Sequence, residues 1–149
     1  MSSKFKRLPL NTVGKDFVIG DLHGCLPLLY RALDHVKFDP VNDRLISVGD
    51  IIDRGDYSYE ALELLDQPWF YMTRGNHEEM LILMAKDLFP EYFFCQNGGR
   101  WFFQLTPEQL TRLKAHYLPL LEALPLVITI ETVAGPMHVV HACLPQDAT

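Results

Sequence analysis

The sequence is poor in cysteine, and its few cysteines form no recognisable pattern. Cys25, Cys95 and Cys143 are odd in number, widely spaced and without a Cys-X-X-Cys pair. This excludes a disulfide framework and a zinc ribbon as the basis of the fold. We therefore expect a protein that works in a reducing, cytoplasmic setting.

Positive charge and long apolar runs are also scarce. Lys and Arg number 13 against 19 Asp and Glu, which gives a net charge of −6 and argues against a broad basic face for nucleic acid or membrane. No segment reaches the roughly 18 apolar residues of a membrane span, and the apolar residues near the N-terminus are too interrupted for a signal peptide. A phosphorylated substrate is still compatible with this charge, because acidic residues that bind divalent cations reverse the local field.

The chain does contain three copies of one pattern, in which a strand, a polar loop and a helix follow one another. Short apolar runs at 17–19, 45–48 and 69–73 each end in a polar loop that contains glycine. Residues with helical periodicity come after each loop. Strands that alternate with helices predict βαβ units, a mainly parallel sheet and an α/β fold.

The last third of the sequence predicts a helix and a β-hairpin. A capping box runs from Thr106 to Gln109, so we expect a helix to begin there and to end before Pro119. Residues 126–132 and 137–142 are predicted strands, joined by a turn around Gly135.

The polar residues that follow the strands have the chemistry of a metal site. The three loops supply Asp21, His23, Asp50 and Asn76, and His141 lies near the end of the last predicted strand. In open α/β sheets ligands bind beyond the carboxyl ends of the strands. Oxygen donors mixed with imidazole suit Mn²⁺, Fe or Zn²⁺. Asp50, on the central loop, is placed to bridge two cations roughly 3.5–4 Å apart.

The same loops carry groups suited to a phosphate ester. Arg54 and Arg74 can each bind phosphate oxygens through two parallel hydrogen bonds. His77 follows Asn76 and can give a proton to the leaving oxygen, with Asp53 orienting its ring. These residues together predict hydrolysis of a phosphoester.

Three ordered motifs carry a family resemblance. Gly-Asp-Leu-His-Gly (20–24), Gly-Asp-Ile-Ile-Asp-Arg-Gly (49–55) and Gly-Asn-His-Glu (75–78) resemble the signatures of the PPP-type metallophosphoesterases, most closely the lambda-phage and bacterial serine/threonine protein phosphatases. The resemblance covers residues 15–145 of one catalytic domain that spans 1–149. It implies a calcineurin-like metallophosphoesterase fold, with βαβ units and a central β-sandwich flanked by helices.

The resemblance also implies a role for each site residue. Asp21, His23 and Asp50 would hold one divalent ion, and Asp50, Asn76 and His141 a second, usually manganese in such enzymes. His77 with Asp53 would form the acid pair. A hydroxide activated by both ions would attack the phosphorylated side chain of a protein substrate.

The sequence departs from the family pattern at its C-terminal end. The family has a further Gly-His motif, whose histidine completes the second metal site, and closing strands after it. We expect that this sequence is truncated before them, so that the fold is incomplete there. His138 is the nearest substitute, but strand residues three apart point to opposite faces, so His138 and His141 are not expected to act as a pair.

Several residues also have simpler interpretations. Asp and Gly are common in turns, so any one loop is explained by turn structure alone, although the three together are not. Trp101 and its neighbours are expected in the core, and Cys25 is expected to be a small buried apolar residue. Glu78 and Glu79 are expected to favour the start of a helix through its dipole.

Two rival functions remain open from the sequence. Symmetrical dinucleoside tetraphosphate hydrolases share this plan, but they typically carry Ala at the position of Asp53 and Asp at that of Glu78. The other rival is a non-catalytic remnant that binds a metal or a partner protein. The sequence does not specify the physiological substrate, the preference between Ser/Thr and Tyr, or the oligomeric state.

Overall fold

The computed structural model describes residues 4–142, which form both strands and helices. The strands are β1 (Phe5–Leu8), β2 (Asp16–Ile19), β3 (Arg44–Ser47), β4 (Phe70–Met72), β5 (Val127–Thr132) and β6 (Gly135–Val140). The helices are α1 (Leu26–His35), α2 (Ser58–Ala61), α3 (Asn76–Ala85), α4 (Glu91–Gln96), α5 (Pro107–Arg112) and α6 (Leu118–Ala123). Turns of 3₁₀-helix span Leu62–Asp66 and Gly99–Gln104, and a π-helical turn spans Leu113–Tyr117. No helix in this described part of the chain is long and apolar enough to cross a bilayer.

The three predicted strand–loop–helix units form one parallel sheet. Its strand order is β2-β3-β4, and Leu45 of β3 lies between Phe17 and Phe70 of its neighbours. Leu45 and Ile46 are both fully buried but belong to different apolar clusters. The central strand is therefore covered on both faces, as parallel sheets require. The predicted α/β fold is confirmed.

A second sheet packs against one face of the first. β5 lies between β1, to which it is parallel, and β6, with which it forms the predicted antiparallel hairpin. The cluster between the two sheets consists of Leu8, Ile46, Ile128, Ile130 and Val139. This is the β-sandwich that the resemblance implies.

Strand β1 was not predicted from the sequence. Three of its four residues are exposed, and only Leu8 is buried. Too little of the strand is apolar for a period-two pattern to show. Its place is set by backbone pairing with β5, in which Leu8 lies opposite Ile130.

The opposite face of the first sheet carries the larger core. Leu62, Leu81, Phe94, Leu113 and Leu121 are fully buried there, and all come from the helices and helical turns. Apolar burial of this kind contributes roughly 25 cal/mol per Å². The helical layer therefore supplies most of the apolar support for the strands whose ends carry the polar loops.

The helix that begins after Thr106 does not end before Pro119, so that prediction is wrong. α5 continues through the π-helical turn into α6, whose first turn contains Pro119. A proline disrupts a regular helix because it lacks an N–H and clashes with the preceding turn. The wider π turn relieves this conflict, and buried Leu113, Tyr117 and Leu121 keep the continued helix on the core.

Candidate active site

The loops after β2 and β3 are joined by backbone hydrogen bonds. The N–H groups of Leu22 and His23 both donate to Asp50 O, at 3.0 and 2.9 Å, and Gly24 N–H donates to Ile51 O at 2.8 Å. These bonds keep the two loops at one edge of the sheet. The convergence predicted from the three strand ends is thus present for the first two loops.

Several non-glycine residues of these loops have left-handed backbone conformations. The φ angles are +45° at His23, +52° at Asp50, +69° at Asp53 and +71° at Arg54. Each such residue costs of order 1 kcal/mol or more, and such residues concentrate at functional sites. These strained backbone conformations therefore fix the orientation of the polar side chains in the two loops.

Asp50 lies at the centre of the polar cluster. It is only 3% exposed, and its Oδ1 accepts the N–H of His77 at 3.0 Å. Its Oδ2 lies 3.4 Å from His141 Nε2 and 3.9 Å from His77 Nε2. One carboxylate therefore faces groups from two different elements, which is the placement expected of a bridging ligand.

His23 has the one buried side-chain nitrogen or oxygen atom without a hydrogen-bond partner within residues 4–142. That atom is Nε2. The other ring nitrogen, Nδ1, lies 2.9 Å from Ile52 O and therefore carries the proton. Nε2 is left with a free lone pair, 3.9 Å from Asp21 Oδ2. Since an unsatisfied buried acceptor is costly, this geometry fits a bound cation.

His141 is oriented in the same way. Its Nδ1 donates to Val48 O at 3.1 Å, and its Nε2 lies 2.8 Å from Asn76 Oδ1. A histidine that gives one N–H to a backbone carbonyl presents the other nitrogen as a ligand. His138 is not near this cluster: it lies on an exposed part of β6, 3.0 Å from Thr129 Oγ1.

The candidate ligand atoms form two groups that share Asp50. Asp21, Asp50 and His141 each place one ligand atom within 4.8 Å of the others, and so do His23, Asp50 and His77. Both ring nitrogens of His77 already have protein partners, unlike those of His23. His23 is therefore a better candidate ligand than His77. The donor set of oxygens and imidazoles fits two divalent cations.

His77 forms the centre of a hydrogen-bonded chain. Its Nδ1 donates to Asp53 Oδ2 at 2.7 Å, and its Nε2 lies 3.2 Å from Arg54 Nη2. His77 and Asp53 are almost completely buried. Burial opposes the charged ring, but the hydrogen bond that His77 donates to Asp53 and the charges of Asp50 and Asp53 outweigh it and raise the pKa of His77.

Trp101 takes part in this chain, which the sequence did not predict. Its indole Nε1–H donates to Asp53 Oδ1 at 2.6 Å, so Asp53 is held by one partner on each oxygen. Trp101 is half-buried and is not simply a core residue. Nothing in the apolar run around Trp101 signals this contact, because it joins residues 48 positions apart.

Glu78 does more than favour the start of α3 through the helix dipole. It is fully buried and accepts three backbone N–H groups, from Asp50 at 2.8 Å, Ile51 at 2.9 Å and Gly75 at 2.9 Å. It thus fastens the second loop to the third. Burial raises its pKa to about 7 and outweighs the three donors, which favour the ionised form. A glutamate three residues after the residue that caps a helix is the sequence signal of such a contact.

The remaining predicted residues lie further from this cluster or differ from expectation. Asn76 and His77 belong to the first turn of α3 rather than to the loop before it. Arg74 pairs with Glu79, with 3.4 Å between Nε and Oε2, and its recorded contacts do not reach Asp50. Cys25 is exposed, so the expectation that it is buried is wrong. Cys143 lies outside the described residues.

Comparisons with known proteins identify relatives of this chain. The family model for calcineurin-like phosphoesterases matches residues 17–141. Serine/threonine-protein phosphatase 1 of Salmonella typhimurium is 38% identical over 131 residues, which are 88% of this chain and 60% of that protein. The chain therefore spans about 60% of the length of this curated relative.

Relatives with another activity also match. The symmetrical bis(5'-nucleosyl)-tetraphosphatase of Pseudomonas syringae is 42% identical over 72 residues, 47% of this chain and 24% of that protein. A solved structure described as a candidate diadenosine tetraphosphatase has a TM-score of 0.70 and 26% sequence identity to this chain. The match covers 98% of this chain and 59% of the chain in that structure.

Proposed function

Because the chain belongs to the calcineurin-like phosphoesterase family, we propose that it is the catalytic part of a metal-dependent phosphatase that hydrolyses phosphoserine and phosphothreonine in proteins. The observation that carries the proposal is the free Nε2 of His23 beside Asp21 and Asp50. Next to it lies the buried pair of His77 and Asp53. A metal site that served only the fold would not need this proton donor.

We assign the ligands of two cations as follows. Asp21, whose Oδ2 lies 3.9 Å from the free Nε2 of His23, would hold one cation together with His23 and Asp50. Asp50, Asn76 and His141 would hold the other. Mn²⁺ is the ion we propose, and Fe or Zn²⁺ suits the same donors. When bound, the pair supplies positive charge to the phosphoryl oxygens and lowers the pKa of the attacking water.

Arg54 is proposed to bind the phosphate. Its guanidinium is exposed at the rim of the site while Nη2 contacts His77 Nε2. A phosphate is a stronger acceptor than a neutral imidazole, so Arg54 turns towards it when the substrate binds. His77 Nε2 is then free to take up a proton. Arg74 stays a second candidate for the phosphate, since its partner Glu79 is on the surface.

His77 is proposed to give this proton to the leaving oxygen of the serine or threonine. Asp53 holds the ring through Nδ1 and stabilises its protonated form, so the proton leaves from Nε2, the nitrogen on the side of Asp50 and Arg54. An alkoxide is a poor leaving group, and general acid catalysis typically contributes about 10²–10⁴-fold. The rate with a seryl phosphate should depend strongly on this group.

Hydrolysis of a dinucleoside tetraphosphate is the second candidate function. The solved structure with 26% identity favours it. The contacts of Asp53 favour the protein phosphatase, because alanine, typical there of the tetraphosphatases, could accept neither the His77 proton nor that of Trp101. The third possibility is a non-catalytic remnant, but it would not explain why the pair of His77 and Asp53 is buried beside the candidate metal ligands.

The test is to assay the purified chain with Mn²⁺ on p-nitrophenyl phosphate, a phosphoserine peptide and diadenosine tetraphosphate. We expect metal-dependent turnover of the first two. Asp50→Asn should abolish both activities, whereas His77→Asn should abolish turnover of the peptide and lower that of p-nitrophenyl phosphate much less, because nitrophenolate leaves without a proton. His35→Asn, at the end of α1, is the matched control and should keep full activity. Faster turnover of the dinucleotide than of the peptide would favour the second function. A folded chain that turns over none of the three would contradict the proposal.

A further inference from the structure

A polar cleft of about 600 Å³ opens beside Arg54, outside the cluster of candidate metal ligands. The residues that line it include Arg54, Asp56, Asn97, Arg100, Trp101 and Gln104. A cleft of this volume is large enough for a small ligand or for part of a longer one. Neither the metal ligands nor the proton donor accounts for this space.

The wall of the cleft is fixed to the loop after β3 by two hydrogen bonds. Arg54 N–H donates to Gly98 O at 3.2 Å, and Trp101 Nε1–H donates to Asp53 Oδ1 at 2.6 Å. Gly98 has a φ of +99°, and a Cβ there would lie 2.6 Å from Arg54 N. Only glycine allows this close approach. The cleft therefore has a defined position relative to the phosphate-binding arginine.

The charge of the cleft is opposite to that of the whole chain. Arg54 and Arg100 outnumber the one carboxylate in the lining, Asp56, whereas the chain carries a net charge of −6. Arg100 is exposed and forms no ion pair within residues 4–142. Other arginines of the chain do pair with carboxylates, namely Arg7, Arg44, Arg74 and Arg112. Arg100 is therefore free to bind an anion.

We propose that this cleft is a subsite for a second anionic group of the substrate and that Arg100 selects that group. The proposal rests on the phosphatase function above, because Arg54 must hold the reacting phosphate for the cleft to receive the neighbouring part of the substrate. A guanidinium binds carboxylates and phosphates equally well. The second anion is thus an acidic side chain near the phosphorylated residue or a second phosphate. Asn97 and Gln104 supply amide groups for the atoms between them.

The experiment compares two phosphoserine peptides of equal length, one with Glu and one with Lys on both sides of the phosphoserine. The wild type should have the higher kcat/KM on the acidic peptide. Arg100→Glu should lower kcat/KM for the acidic peptide about tenfold and raise it for the basic one, because the new carboxylate repels the acidic side chains and attracts the lysines. Turnover of p-nitrophenyl phosphate, which has no second anion, should not change.

Arg31→Glu is the matched control, because Arg31 is also an exposed arginine and lies on α1, outside the lining of this cleft. It should keep the wild-type ratio between the two peptides. Inhibition by tripolyphosphate, measured with Mn²⁺ in excess, tests whether the second anion is a phosphate instead of an acidic side chain. If Arg100→Glu weakens its inhibition and leaves the peptide ratio unchanged, the second anion is a phosphate and the subsite stands.

The proposal is overturned if Arg100→Glu changes neither the peptide ratio nor the inhibition by tripolyphosphate. Failure of the phosphatase function has a different signature, since p-nitrophenyl phosphate would then not be hydrolysed by any variant. In that case calorimetry of tripolyphosphate binding to the wild type and Arg100→Glu still decides the matter. Equal affinities would exclude an anion subsite at Arg100.

Discussion

The edge of the sheet β2-β3-β4 where the polar loops lie, here called the loop edge, buries charged side chains. The helical layer that covers one face of this sheet keeps most of its charged side chains at the surface. The helical layer buries leucines and keeps the pair of Asp66 and His116, to which the buried Tyr117 donates a hydrogen bond, near the surface. The loop edge buries three carboxylates, Asp50, Asp53 and Glu78, and it holds Asp50 and Glu78 close together. Buried like charges lower stability unless they are compensated. The helical layer is thus arranged for stability, and the loop edge for a function that needs fixed negative charge.

The largest expected effect is that of Asp50→Asn, which should separate function from stability. Activity should fall by about 10³-fold or more, because the shared ligand loses its charge. The metal-free protein should become more stable, by about 1 kcal/mol, since a carboxylate that repels Glu78 is removed. Asparagine keeps an oxygen for the His77 N–H.

Thermal and urea unfolding in the presence of a chelator measure this change in stability. Asp34→Asn, an exposed aspartate on α1, is the control and should change neither property. An Asp50→Asn protein that is both inactive and clearly less stable would contradict the view that the charge of Asp50 serves function alone.

The next largest effect is expected for Glu78→Ala. It would leave the N–H groups of Asp50, Ile51 and Gly75 without their buried acceptor, and we expect a loss of about 3 kcal/mol in the free energy of unfolding. Glu79→Ala removes only an exposed ion pair with Arg74 and should cost less than about 1 kcal/mol. Similar losses in the two variants, measured by urea unfolding, would mean that Glu78 does not hold the loops together.

A smaller and more selective effect is expected for Trp101→Phe. Phenylalanine keeps most of the ring but loses the N–H that holds Asp53. Turnover of a phosphoserine peptide, which needs the proton from His77, should fall about tenfold. Turnover of p-nitrophenyl phosphate, whose leaving group needs no proton, should fall much less.

Trp69→Phe is the control for this prediction, because Trp69 packs on Phe38 and Phe70 away from Asp53. It should affect both substrates equally. If Trp101→Phe also lowers both rates by the same factor, Trp101 supports the fold and does not position the acid pair.

The smallest effect is expected in the helical layer, for Asp66→Asn. Burial alone would raise the pKa of Asp66, but hydrogen bonds from His116 and Tyr117 and the charge of Arg112 lower it overall. Because the pKa of Asp66 is lower in the folded state than in the unfolded state, the ionised side chain stabilises the fold at pH values above the unfolded pKa of about 4. This stabilisation is lost as the pH falls through the pKa of the folded state. We expect about 0.5 kcal/mol because the side chain is partly exposed.

The wild type and Asp66→Asn should therefore differ slightly at pH 7 and converge near pH 3. Urea unfolding at several pH values measures the difference. A gap that widens on acidification would contradict the assigned contacts of Asp66.

The sequence predicts the parts of the fold that depend on local patterns. The apolar runs ending in Gly-Asp or Gly-Asn motifs predict β2, β3 and β4 and the edge at which Asp50 lies, because strand period and turn chemistry are local properties. β1 and the continuation of the helix past Pro119 depend on pairing with distant residues and on burial, so they could not be predicted. The same holds for the contacts of Trp101 with Asp53 and of Glu78 with Asp50, whose partners become neighbours only in the folded chain. The contact of Glu78 with Gly75 is local and follows from the capping pattern.

The central claim is that Asp50 joins two cation sites, and Mn²⁺ binding tests it most directly. Calorimetry with electron paramagnetic resonance, on the wild type, Asp50→Asn and the control His138→Asn, counts the ions and detects coupling between them. We expect two ions with a coupled spectrum in the wild type and in the control, and one uncoupled ion at most in Asp50→Asn. A single ion in the wild type, or a coupled pair that survives Asp50→Asn, would contradict it.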